Sequence, residues 1–525
     1  MTCKQASTNE TNQMTTKEQD PNVLPPGDEH NQKLRDNVHP QNWPTKPIDG
    51  VYDMIAIGAG TAGLVSSGGA AMLGAKSALI ERHMMGGDCL VTGCVPSKTL
   101  IKSAHVAHQA SKAHEFGVNV GEVKVDFTKV MERLRRVRAD MAHHDGAKKL
   151  DDMGVDVLFG NAKFTGPNTL DLDGKEIKFR RAMICAGGRP FVPDIPGLRD
   201  NCLTSESFFE LTELPEHFMV IGGGPIGCEL AHSMRRLGSE VTILQRGQKI
   251  MDKDDPEAGE IIMEVFKEEG IDVRFGAELQ KVEKRDGRLH CTIKHKDHEH
   301  ELVVDQIMVA TGRVPNVESL NLEAAGVEYH RRGITVDKHH RTSNKRIFAA
   351  GDICSPFQFT HAAYAQAEYA TLNALMPWPY RLNAKDRVMS WVTYTDPEVA
   401  HAGPAYSEIE KQKANLDIYE LPMKDNDRAQ TESEHRGFCR IHCKKGTDKI
   451  VAATIVGENA GEMIAEMSLA ITKGMRLKHI QETVHAYPTR AEIIRNTATE
   501  WKFSTLTTSM KSMVGVWFKI SRRFG

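Results

Sequence analysis

The 525-residue chain is long enough for about three domains. Its 67 Lys and Arg against 70 Asp and Glu leave it near neutral, without the basic balance that a nucleic-acid partner requires. Ten thinly spread cysteines exclude a secreted disulfide scaffold, and there is neither a signal-peptide pattern nor a run of about 18 apolar residues, so a cytoplasmic protein with no transmembrane segment is expected.

Residues 1–50 are rich in Asn, Gln, Thr, Pro and charge, and they predict a mobile arm with Trp43 pinning its end. From Val51 the texture changes: "YDMIAIGAGTAGLVSSGGAAMLGAKSALIERH" reads as a buried strand, a glycine turn, a small-residue helix and a second strand. Gly58, Gly60 and Gly63 form GxGxxG, and Glu81 follows Gly63 by 18 positions. The glycines let backbone approach a pyrophosphate, the helix N-terminus favours its charge, and the carboxylate accepts from a ribose 2′-hydroxyl.

Next comes "GGDCLVTGCVPSK", residues 86–98, with Cys89 and Cys94 five positions apart. Buried core thiols and half of a metal site are the alternatives to a reversible disulfide. No CxxC or HxxxH pattern elsewhere supplies a second ligand pair, so no resident metal is expected, and a disulfide needs a redox partner nearby.

A second strand–glycine turn–helix–strand unit follows in "HFMVIGGGPIGCELAHSMRRLGSEVTILQR", with Gly222, Gly224 and Gly227 in the motif positions. Two dinucleotide sites in one chain predict a nicotinamide that hands hydride to a flavin. The position equivalent to Glu81 is Gln245, followed by Arg246 and then Lys249. A neutral amide beside cations does not repel a 2′-phosphate, so NADPH is expected over NADH. "ICAGGRP" (184–190) and "VATGRVPN" (309–316) read as strand ends with glycine turns where the chain crosses between nucleotide domains. "RIFAAGDIC" (346–354) delivers Asp352 from a short apolar strand, and "MSWVTYTDPEVAHAG" opens a separate C-terminal domain.

From Tyr52 to about Thr499 the chain resembles the class I pyridine nucleotide–disulfide oxidoreductases, closest to mercuric-reductase-like flavoproteins in "ERHMMGGDC", "WVTYTDPEVA" and "HAYPTRAE". The resemblance implies an α/β fold with two Rossmann-like domains, for FAD and NAD(P), and a C-terminal α+β dimerisation domain. It divides the chain into an FAD domain over 51–190 and 316–385, an NAD(P) domain over 191–315, and an interface domain with a tail helix over 386–525. Cys94 resembles the thiol facing the flavin, Cys89 the thiol that attacks substrate, and Lys98 with Glu229 the ion pair beside the flavin. The FAD positions implied are Gly58, Gly60, Gly63, Glu81, Gly87, Lys98, Ala162, Gly187 and Asp352. Those for NAD(P)H are Gly222, Gly224, Gly227, Gln245, Arg246 and Gly312.

The family's site is completed across a homodimer by a C-terminal segment in which histidine exchanges protons and glutamate orients it. Here that segment is "HAYPTRAE", residues 485–492, so Tyr487 stands in the histidine position and Glu492 is kept. A tyrosine with a reference pKa near 10 exchanges protons poorly at neutral pH, whereas a soft metal ion needs no proton. Mercuric ion reduction is therefore the expected activity. The alternatives are a dihydrolipoamide-dehydrogenase-type disulfide reductase, with His485 as the base, and a flavin-binding interaction protein without turnover. The vicinal cysteine pair that mercuric reductases carry at the C-terminus is missing, since no cysteine follows Cys443, and Cys439 and Cys443 read as core. The final stretch, residues 502–525, combines apolar side chains with five basic ones; packing against the dimer is expected, with a membrane surface as the alternative.

Overall fold

Two sheet layers are built from strands whose apolar runs are buried on both faces, the pattern of parallel sheets covered by helices. The computed structural model describes residues 24–296, 298–377, 379, 381–383 and 387–524. In the first layer the parallel order is Val155–Phe159, Ser77–Glu81, Val51–Ile57, Lys175–Ile184 and Ile347–Ala349. An antiparallel hairpin, Ala162–Gly166 and Thr169–Leu172, continues from the first half of Lys175–Ile184. The second layer is Asp272–Phe275, Glu240–Gln245, His217–Ile221 and Gln306–Val309, again parallel. The strand Ile347–Ala349 thus returns to the first sheet after the whole second unit has been inserted. The ribbon Gly188–Pro190 paired antiparallel with Arg313–Pro315 joins the outgoing and returning chain.

The C-terminal domain is a five-stranded antiparallel sheet, ordered Ser390–Thr393, Glu398–Ala402, Ile450–Gly457, Phe438–Lys444 and Leu416–Pro422. Helices Ala460–Thr472 and Glu492–Ser504 bury Met463, Ile464, Met467, Ile493 and Ile494 in the same core as Cys439 and Cys443. Among the described residues no helix is long and apolar enough to cross a membrane.

The polar N-terminal stretch departs from the expectation of a mobile arm, which otherwise falls on residues outside those described. Glu29–Val38 is a helix capped by Asp28, and its Leu34 and Val38 are fully buried. It packs on the helix Phe127–Met141 through polar as well as apolar groups. Arg138 is 0% exposed and donates to Glu210 at 2.9 Å and Asn31 at 2.7 Å, while Arg135 donates to Asp28 at 2.6 Å. Composition is a poor guide here because Asp28 and Asn31 are used inside, as partners for buried arginines. Trp43 donates to Val157 O at 3.0 Å, and Val38 O accepts from Met85 N at 3.1 Å, one residue before the cysteine motif. Leu34→Ala is expected to destabilise the FAD-loaded protein by about 2–5 kcal/mol, read as a fall in Tm. An unchanged Tm would return this segment to the status of an arm.

Candidate active site

The two glycine turns are built alike. Gly58 has φ +99° and Gly222 +109°, and a side chain at Gly63 or Gly227 would come within 1.8 or 2.0 Å of the carbonyl oxygen of that first glycine. Helices Thr61–Met72 and Pro225–Leu237 then start at Gly60 and Gly224 without a side-chain cap. The first N–H groups of these helices have no side-chain partner, Pro225 having no N–H to satisfy, and such uncapped starts fit a pyrophosphate. Glu81 Oε2 accepts from Ala59 N at 2.6 Å, and in the second unit Gln245 Oε1 accepts from Gly223 N at 3.1 Å. Gln245 Nε2 also donates to Lys249 O at 2.8 Å, so its amide is occupied in holding the loop. Arg246 and Lys249 beside it are exposed. Ala162 starts the strand two residues after Gly160, whose N–H donates to Glu81 O at 2.9 Å.

The cysteine motif is pressed against the first turn. Gly86 N donates to Ala59 O at 2.9 Å, and a Cβ on Gly87 would lie 2.8 Å from Gly60 Cα. A short helix, Gly87–Val91, carries Cys89; the chain turns at Gly93, and Cys94 is the first residue of the helix Cys94–Ser111. Both thiols are free and hydrogen-bond to each other. Donation from Cys89 pulls Cys94 down to about 6 against the effect of burial, with help from Thr360 and the Lys98 charge. The same bond and burial push Cys89 well above the ordinary thiol range. The start of a helix also favours a thiolate at Cys94. Thr360 Oγ1 lies 3.3 Å from Cys94 Sγ, brought there at the first turn of the helix Thr360–Leu375.

Lys98 stands one turn after Cys94 and donates to Glu229 Oε2 at 2.9 Å. Glu229 is buried on the helix Pro225–Leu237 and accepts at Oε1 from Tyr394 N, also at 2.9 Å. The Tyr394 ring lies 4.4 Å from Lys98 Nζ. A cavity of about 270 Å³ opens beside these groups, bounded further by His105, Arg236 and Asp396. On the other side of the motif, Arg313 pairs with Asp88 and stands 3.5 Å from Asp352, whose carboxyl is pushed up by burial despite that cation. Gly187 and Gly312 are the turns at the base of the crossing ribbon, where Gly187 O accepts from Asn316 N and Gly312 O from Phe191 N.

His485, Tyr487 and Glu492 lie on the C-terminal domain. Among the described residues no hydrogen bond or ion pair joins them to Cys89, Cys94, Lys98 or Glu229 within one chain. Tyr487 is 68% exposed and its hydroxyl donates to Asp427 Oδ2 at 2.9 Å, which raises its pKa. The His485 ring is largely buried and meets Glu466 at 3.1 Å rather than Glu492. Sequence reasoning missed Thr360, Tyr394, Arg313 and Glu466. Arg313 stood in the "TGRVPN" turn and Tyr394 in "WVTYTDPEVA", but nothing in either string says what the side chain touches.

Residues 52–367 match the family described as "Pyridine nucleotide-disulphide oxidoreductase", and residues 389–498 match its dimerisation domain. The chain belongs to this family. Family members use FAD and NAD(P)H, and the glycine turns, uncapped helix starts and free thiol pair are a donor set suited to both cofactors and to a disulfide redox centre. The chain is similar to a mercuric reductase from Bacillus cereus, 35% identical over 84% of this chain and 70% of the relative. It is also 32% identical to a dihydrolipoyl dehydrogenase from Bacillus subtilis, over 85% and 95% of the two. Its fold matches the HOCl-induced flavoprotein disulfide reductase RclA from Escherichia coli with a TM-score of 0.76 at 25% identity, over 85% and 99% of the two.

If Cys94 faces the flavin as the family resemblance implies, its thiolate is expected to give the two-electron-reduced flavoenzyme a long-wavelength charge-transfer absorbance. Because the Cys94 pKa is depressed to about 6, the band should be full at pH 8 and fade as pH falls through about 6. It should be missing in Cys94→Ser. A midpoint near the ordinary thiol value would show that Cys89, Thr360 and Lys98 do not hold the thiolate.

Proposed function

We propose that this flavoprotein uses NADPH to reduce a soft, thiophilic metal ion, with Hg(II) as the favoured substrate, through Cys89 and Cys94. The observation that carries this reading is Tyr487: the residue at the family's proton-exchanging position is an exposed tyrosine whose hydroxyl is held by Asp427. Poorly placed to deliver protons, it suits a reaction whose product needs none. The similarity to mercuric reductases supports the reading, as does the RclA flavoprotein, 25% identical and of the same fold, one of whose solved structures is a Cu(II) complex.

FAD, when bound, supplies the two-electron relay between nicotinamide and thiols. Gly58, Gly60, Gly63, Gly87, Gly187, Glu81, Ala162 and Asp352 would hold it, with Lys98 and Glu229 at its ring. Gly222, Gly224, Gly227, Gln245, Arg246 and Gly312 would hold NADPH, Arg246 and Lys249 presenting charge to the 2′-phosphate. Cys89 and Cys94 exchange with the thiols that carry the metal ion and bind it as thiolates, their soft sulfur matching its own softness. The carrier leaves as one thiol, taking the Cys89 proton, and one thiolate; two electrons and one proton, the equivalents of the nicotinamide hydride, then reduce Hg(II) to Hg(0) and restore the Cys89 thiol beside the Cys94 thiolate, and the nicotinamide leaves oxidised. Tyr487 and Glu492 would reach the thiol pair from the second subunit of a homodimer. The described cysteines are all free thiols, the state a reducing cytoplasm maintains.

A second reading, disulfide reduction of the dihydrolipoyl-dehydrogenase type, is favoured by the His485–Glu466 pair, a histidine and carboxylate 3.1 Å apart two residues from Tyr487. NADPH oxidation with thiol-buffered Hg(II), lipoamide and glutathione disulfide separates the two. Hg(II) should be turned over and lipoamide poorly; Cys89→Ser and Cys94→Ser should each abolish turnover while keeping FAD, and Tyr487→His should raise disulfide turnover. Brisk lipoamide reduction by an enzyme that Hg(II) merely poisons would sink the metal reading. A flavin spectrum unmoved by NADPH would point instead to a non-catalytic flavin-binding protein.

The coenzyme is tested separately. Arg246→Ala should raise KM for NADPH at least about tenfold, the loss of one hydrogen bond to a charged group, and leave KM for NADH nearly unchanged. Equal kcat/KM for the two nucleotides in the unaltered enzyme would contradict the assignment.

A further inference from the structure

The family's dimerisation domain ends at residue 498, and beyond it the chain continues into a helix, Thr508–Phe524, that buries none of its residues against the rest of the protein. Projected at about 100° per residue, its side chains separate into an apolar arc, which also holds Ser509 and Ser521, and a basic face. Met510, Met513, Val514, Trp517, Ile520 and Phe524 fall on one side, with Val516 and Phe518 at the margins of that arc. Lys511, Lys519, Arg522 and Arg523 lie together on the other. Trp517 is 62% exposed, Met513 66% and Phe524 87%. No acidic residue follows Glu500.

We propose that the helix Thr508–Phe524 docks the enzyme on the surface of an anionic phospholipid bilayer, lying in the interface with Trp517 and its apolar neighbours in the acyl boundary. Charge complementarity selects this occupant. A polar face made only of cations, hydroxyls and glycine meets its counter-charge in lipid phosphates, each basic residue strengthening the contact with an anionic leaflet. A second protein chain would normally offer mixed charge and cover a narrower stripe. Here the apolar arc spans more than half the circumference, and a helix sunk to its axis in the interface buries all of it. The helix is too polar to span the membrane, so attachment is peripheral and sensitive to salt. Residues Thr505–Thr507 separate it from the end of Glu492–Ser504, and none of its own residues is buried.

The test uses the full-length FAD-loaded enzyme with vesicles of phosphatidylcholine alone and of phosphatidylcholine mixed with phosphatidylglycerol. Sedimentation with the mixed vesicles is expected, weak at high salt, and absent for a chain ending at Thr507. The charge reversal Lys519→Glu with Arg522→Glu should lower partitioning at least about tenfold, given roughly one kcal/mol per basic residue. Vesicles should shift tryptophan emission to the blue in the unaltered protein but not in Trp517→Phe. NADPH oxidation should survive the truncation. Binding that ignores lipid charge, or an enzyme that stays in the supernatant, overturns the proposal. So does a truncation that splits a solution dimer, because the apolar face then belongs to a second copy.

Discussion

Lys98 and Glu229 meet at 2.9 Å across two helices that belong to different nucleotide units, and the backbone N–H of Tyr394 in the third domain completes the carboxylate. Glu229 is nearly inaccessible, and a buried carboxylate is tolerable only when both oxygens are satisfied. The three partners therefore fix one another: the Cys94 helix cannot rotate without uncovering Glu229, and the C-terminal domain cannot shift without taking the Tyr394 amide from it. The same lysine contributes to the low pKa of Cys94 one turn earlier. Domain packing and thiol chemistry thus rest on one ion pair.

The parallel construction of the two nucleotide units makes the exchange of Glu81 for Gln245 informative. Glu81 and Gln245 perform the same backbone service for the residue between the first two glycines. An amide does this as well as a carboxylate does, so the turn tolerates the exchange. What changes is the net charge at the strand end: Glu81 offsets the exposed Arg82 at the first site, whereas at the second Arg246 and Lys249 stand beside a neutral amide. Discrimination between dinucleotides can change in this way without disturbing the fold.

Much of this was legible in the sequence because it depends on local spacing. GxGxxG between a strand and a helix, cysteines five apart ahead of a helix, and the glycine turns at the crossing points each declare a backbone geometry within a few residues. What stayed hidden depends on distant partners. Thr360 reaches Cys94 from 266 positions away, and Glu466 on the helix Ala460–Thr472 reaches His485 in a separate loop. The N-terminal helix was missed for another reason: hydrophobicity marks segments that bury carbon, and this one is held by Asp28 and Asn31 serving buried arginines.

That helix also has an order of events built into it. Residues 24–48 leave the ribosome before anything they bind: Trp43 waits for Val157, Asp28 for Arg135, and Asn31 for Glu210, 179 positions later. Domains form largely as their residues emerge, so the first described segment to be synthesised docks only after residues 135–157 have followed it. Until Glu210 arrives, Arg138 has no counter-charge in its buried site. The contacts of Asn31 and Arg138 to Glu210 thus complete the strap only once synthesis has entered the second unit.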